Sequence, residues 1–198
     1  VAKAKDGKIS ADAKSAATTS LSREDYFTKS RDFMKLYTDW YPKGEAIDDI
    51  RYQSALLVYN NGHLEEAIQM LTAIAKDDTS KHKKAAIYDV MVVASEWDEK
   101  QPDPKLPEIS TVKSPIPLTK SKALLIEKIQ AYLIDEPDAE NAANLQYTIA
   151  STYHAFGYYD KSMPLLDGIL RKVPKTEIGE ASMNIMLGYL VEFLLWHE

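Results

Sequence analysis

The chain contains no cysteine, so no disulfide can staple it and no thiolate can hold a metal. It has no basic excess either. The net charge is −6, and a protein that grips nucleic acid through its phosphates needs a basic face. Long apolar runs are missing. A membrane-crossing helix needs about eighteen uncharged apolar residues, whereas the best candidate, "IMLGYLVEFLLW" at 185–196, is shorter and carries Glu192. That argues against an integral membrane segment. Glycine is scarce, with 7 in 198 residues, and none forms a P-loop, a dinucleotide fingerprint or a G-x-S-x-G elbow. The four histidines, at 63, 82, 154 and 197, lack the close spacing of a metal-binding motif. The chain opens on Val1 without an apolar leader, which reads as an excised piece of a longer protein. Period-two alternation is also absent, so an all-α fold is expected.

What is present is a succession of helical patterns with clear punctuation. Residues 1–21 hold few large apolar side chains and read as a linker or weak helix. Ser22 followed by Asp25 makes a capping box, and Phe27, Ser30, Met34 and Tyr37 continue at helical spacing until Pro42. Ile47, Ile50, Ala55 and Val58 form the next apolar face, and Gly62 ends it. Leu64, Ala67, Ile68, Leu71 and Ile74 form another. Residues 83–98 read as a helix with Ala85, Val92 and Trp97 on its apolar face. The stretch 101–117 has five prolines and marks an inserted loop over 99–118. Thr119 caps a helix that stops at Pro137. Helices over 139–156 and 158–172 flank Gly157, with Pro164 expected in or near the first turn of the second. A last helix starts near Glu177. It is apolar around much of its circumference, so cover on more than one side is expected.

Shifting the chain by 95 residues superposes Tyr37 on Tyr132, Pro42 on Pro137, Tyr52 on Tyr147, Ala55 on Ala150, Gly62 on Gly157 and Leu71 on Leu166, without a gap. Pro137 and Pro174 lie 37 residues apart, and the same step from Pro42 reaches Thr79, just ahead of the helix over 83–98. Two steps of 37 leave a remainder close to the length of the proline-rich stretch. Each 95 residues therefore holds two helix pairs and one insertion. The helices over 83–98 and 119–136 are expected to be partners whose short turn has become the long loop.

"ALLVYNNGHLEEAIQMLTAI" and "ASTYHAFGYYDKSMPLLDGILRKVP" resemble tetratricopeptide repeats, on Ala55, Val58, Gly62, Leu64, Ala67 and Leu71 and on Ala150, Tyr153, Gly157, Tyr159, Leu166 and Pro174. The resemblance spans roughly 22–198 and is carried mainly by 45–77 and 138–174. Two features depart from it: Ser162 stands where an alanine is usual, and the tryptophan–leucine–glycine signature is missing. The spacing is similar to that of bacterial cell-envelope members of the family, which points to the periplasm or envelope.

The resemblance implies a right-handed α-solenoid of stacked antiparallel helix pairs over 22–198, with no catalytic role and no cofactor. The first helix of each pair would line a concave groove for a protein or peptide partner. The family's groove positions carry over to Asp49, Tyr52, Leu56, Tyr59 and Asn60, and to Asn144, Tyr147, Ser151, His154 and Ala155. Tyrosine, asparagine and histidine together suit an extended peptide, giving ring area and hydrogen bonds. The lysine–arginine clamp that some relatives use for a carboxyl terminus is not supplied. Two alternatives remain: a helical-repeat domain of a larger envelope enzyme such as a cell-wall hydrolase, or an oligomerisation module using the C-terminal helix.

Four local features invite chemistry, and each has a plainer explanation. His63, Glu65 and Glu66 cluster at a helix start, where the dipole favours acids. The adjacent acids Asp48–Asp49 and Asp77–Asp78 diverge by about 100° on a helix and read as a solvated face. "KHKK" at 81–84 reads as solvated too. "PKLP" at 104–107 could dock as a polyproline segment, but a stiff loop explains it as well.

Overall fold

A computed structural model describes residues 21–108, 112 and 114–196, with side chains described through Val191. Residues 1–20 of the expected linker lie outside it. The described residues form eight α-helices and no strand: α1 Arg23–Trp40, α2 Ile47–Asn60, α3 Leu64–Ala75, α4 Lys83–Glu99, α5 Lys120–Asp135, α6 Ala142–Ala155, α7 Tyr159–Lys172 and α8 Glu177–Trp196.

Side-chain caps set three of the helix starts. The Ser22 hydroxyl accepts from the Asp25 N–H at 3.1 Å, and the Asp25 carboxylate accepts from the Ser22 N–H at 2.9 Å, completing the capping box. Thr119 caps α5 by accepting from the Lys122 N–H. Thr176 caps α8 by accepting from the Gly179 N–H. Glu65 and Glu66 occupy the first turn of α3.

Each helix packs against the next, and α6 also meets α8. α4 and α5 are packed partners despite the loop between them. Ala55, Ala67, Ala86, Ala94 and Ala150 are fully buried, so the helices approach closely where those side chains meet. Leu71, Leu166 and Ile169 fill the space between crossings and are also fully buried. Burying a side chain of that size stabilises the fold by about 2 kcal/mol.

Gly62 and Gly157 both have positive φ, +83° and +78°, as expected for glycines that turn one helix into the next. Their surroundings differ. A Cβ on Gly62 would meet nothing, whereas one on Gly157 would lie 2.6 Å from Val112 Cγ1 and 3.6 Å from Pro115 Cα. The close approach at Gly157 comes from the inserted loop rather than from a neighbouring helix. The Ile116 N–H donates to the Phe156 carbonyl at 2.9 Å, pinning the loop to the α6–α7 corner.

Two expectations need correction. Ala85 is exposed, and the buried face of α4 runs through Ala86, Ile87, Val90, Met91, Val93, Ala94 and Trp97. Pro164 is the sixth residue of α7, past its first turn, on an exposed position. α8 packs on α7 and α6, and Met183, Leu187, Leu190 and Val191 of its described side chains are exposed.

Candidate functional site

The face built by α2, α4 and α6 holds the residues singled out from sequence. On α2, three of them turn toward α4 and the turn before it. The Tyr52 hydroxyl donates to Asp89 Oδ2 at 2.5 Å, and the Tyr59 hydroxyl donates to Glu96 Oε2 at 2.9 Å. The Tyr52 ring stacks on His82, with centroids 4.4 Å apart and planes 9° from parallel. Asp49 accepts from Lys81 Nζ and contacts His82 Nε2, both at 2.7 Å. Its neighbour Asp48 accepts from the Ser80 hydroxyl at 2.7 Å and the Lys81 N–H at 2.9 Å. The solvated-face reading of Asp48–Asp49 holds only in part: the Asp49 side chain is 46% exposed, yet the two carboxylates also clamp the α3–α4 turn. "KHKK" is not idle either, since Lys83 and Lys84 bond Asp78 and Glu136.

These contacts set the local electrostatics. Lys81, then His82, hold the Asp49 carboxyl below its usual value. Lys100, then Tyr59, do the same for Glu96. Burial, reinforced by Asp89, pushes the Tyr52 phenol up to about 12. The bond to Glu96 raises Tyr59 as well. Both tyrosines are thus held as neutral donors.

Between α4 and α6 the face opens into a cleft of about 350 Å³. Its apolar floor is Met91, Val92, Leu125, Ile129 and Leu145. Its polar rim carries Tyr88, Ser95, Glu96 and Glu99 from α4, Thr148 from α6 and Asn141 just before α6. Glu96 serves both regions, lining the cleft while accepting from Tyr59 of α2.

The remaining expected residues spread along the same face. Leu56 is half-buried, and Asn60 is exposed with its carbonyl accepting from Arg23 at 3.0 Å. On α6, Asn144 is exposed, and its carbonyl accepts from the Thr148 hydroxyl at 3.1 Å. Tyr147, Ser151 and Ala155 are half-buried, and the Ser151 hydroxyl donates to the Thr148 carbonyl. His154 is buried, with its ring against Tyr159 and Tyr189. None of these lines the α4–α6 cleft, whose lining comes from positions that sequence reasoning passed over. The 37-residue step would have found one of them, because it carries Tyr59 onto Glu96; it carries Tyr52 onto Asp89, which does not line the cleft.

A larger cleft, about 620 Å³, opens between α1, α2 and α3. The Arg31–Glu66 pair joins its walls at 2.5 Å, and none of the expected groove residues lines it. His63, Glu65 and Glu66 line a shallow cleft with Trp97 and Lys100, but the His63 ring stacks on Phe27 at 5.0 Å and Glu66 faces Arg31. Among the described residues no group of three or more histidines, cysteines and acids is placed to hold a metal. No described helix is long and apolar enough to cross a membrane. Compared with known proteins, the chain matches no family model and no curated protein.

Proposed function

We propose that this chain is a tetratricopeptide-like right-handed α-solenoid acting as a non-catalytic scaffold, which holds an extended segment of a partner protein along α2, α4 and α6. The observation that carries this reading is the α4–α6 cleft. Its apolar floor can take a partner's side chain, and the amide of Asn141 and hydroxyls of Ser95, Thr148 and Tyr88 can bond a peptide backbone. Repetition supports it: the 37-residue step read from the sequence reappears between Tyr52 and Asp89 and between Tyr59 and Glu96. Helix pairs repeated at a fixed step are what a solenoid requires. The exposed Asn60 and Asn144 and the half-buried Tyr147 of the same face extend the surface beyond the cleft. A bacterial-envelope setting rests on the resemblance of the repeats alone.

The test is binding of synthetic nonapeptide pools to purified protein, read by fluorescence anisotropy. Leu145→Arg places a charge on the cleft floor and should weaken binding about tenfold or more, with its helical circular dichroism retained. Absence of binding by any pool, or equal binding by the variant, overturns the reading.

A further inference from the structure

The α4–α6 cleft is acidic at its rim, and its lining includes no lysine or arginine. Glu96 and Glu99 lie three residues apart, on neighbouring positions of the α4 surface. Glu96 is partly offset by Lys100, 2.7 Å from its Oε1, but that lysine is exposed and free to swing aside. Glu99 is exposed at the end of α4.

The turn that delivers Asn141 to the cleft adds to this field. Its sequence "DEPDAEN" supplies Asp135, Glu136, Asp138 and Glu140. Lys84 reaches Glu136 at 3.4 Å, and among the described residues no ion pair meets Asp138 or Glu140. Farther along α4, Asp89 is met by the neutral Tyr52 hydroxyl rather than by a cation. At the cleft itself Glu96 and Glu99 thus face one exposed ammonium, Lys100, beside an apolar floor.

Resting on the reading above, we propose that the cleft selects a cationic segment of its partner, seating an apolar side chain on the floor while lysine or arginine side chains flank it to reach Glu96, Glu99 and the 135–140 turn. The physical reason is complementarity. Like charge at this rim repels an acidic segment, a neutral one gains only the floor, and a basic one gains the floor and the rim. These rim charges are solvated, so the gain falls as salt rises.

Three nonapeptide pools distinguish the outcomes, each with randomised apolar positions and with lysine, glutamine or glutamate fixed at the alternate positions. The lysine pool should bind about tenfold more tightly than the glutamine pool in low salt, and the glutamate pool least. Glu96→Gln/Glu99→Gln should bring the lysine and glutamine pools within about twofold of each other. Glutamine at 96 keeps an acceptor for Tyr59. The control Glu177→Gln/Glu180→Gln removes the same charge from α8 and should leave the preference intact. Equal binding of the lysine and glutamine pools to the wild type overturns the cationic selection while sparing the scaffold reading. A lysine preference that survives in Glu96→Gln/Glu99→Gln, or is lost in the α8 control, overturns it too. Failure of every pool removes both readings together.

Discussion

The Tyr52 hydroxyl donates to Asp89, and one turn-pair farther along the same two helices the Tyr59 hydroxyl donates to Glu96. Each donor and acceptor are 37 residues apart. The seam between α2 and α4 is therefore held in register twice, by the same chemistry. It ties α2 to α4, which packs on α3 and α5 and provides one wall of the cleft.

Removing the hydroxyl at one rung should show this. Tyr52→Phe leaves the Asp89 carboxylate without its donor, at a cost of about 1 kcal/mol. Tyr52→Phe combined with Asp89→Asn should give a coupling energy of about 1 kcal/mol in a double-mutant cycle read by urea unfolding. A coupling near zero would mean that the bond does not hold the seam.

The same phenol makes a prediction about alkaline pH. Its value in the folded protein, about 12, lies above the ordinary 10.0. The folded state thus keeps this proton where the unfolded chain has lost it. The resulting stabilisation is fully present below pH 10 and is lost as pH rises through 12. Lysines titrate in that range as well, so the informative quantity is the difference between wild type and Tyr52→Phe. Stability measured at pH 9 and pH 12 should fall more steeply for the wild type.

The two corner glycines should respond unequally to one added methyl group. Gly62→Ala meets only the strain of a left-handed backbone, about 1 kcal/mol. Gly157→Ala meets that strain and also the Val112 side chain, 2.6 Å from the new Cβ. Its thermal midpoint should drop further, and Gly157→Val further still. Adding Val112→Ala to Gly157→Ala should recover part of the loss. Equal midpoints for the Gly62 and Gly157 variants would refute the packing of the loop on this corner.

Most of the helix order was legible because breakers and caps act locally. Ser22, Gly62, Thr119, Gly157 and Pro174 each mark a boundary close to the one observed. Burial on α4 was less legible. Its apolar residues surround most of the helix, so periodicity alone could not choose between Ala85 and Ala86. The candidate cleft was half legible. Projecting two repeats onto a groove named residues of α2 and α6, whereas most of the cleft lining comes from α4, which lacks the glycine turn that marks a repeat. What Val112 and Ile116 touch could not be read at all, because a long-range contact from an irregular loop leaves no periodic trace.

The inserted loop is also tied at its base, which yields a last prediction. It leaves after Glu99 and returns at Lys120, and Asp98 meets Lys122 across that gap at 2.6 Å. Asp98 is buried, and its other carboxylate oxygen has no hydrogen-bond partner among the described residues. Lys120 Nζ sits 5.5 Å from the centroid of the Trp97 ring, beside the same junction. Lys122→Met should therefore strand a buried carboxylate and cost about 3 kcal/mol, measured by urea unfolding. Asp98→Leu/Lys122→Met removes both charges together and should recover most of that loss, since an apolar pair of similar volume replaces a buried ion pair at little cost. The single variant should also free the loop base, so limited proteolysis should cut within 99–118 faster than in the wild type. Unchanged stability and cleavage in Lys122→Met would mean that the loop is held by its contact with the α6–α7 corner alone.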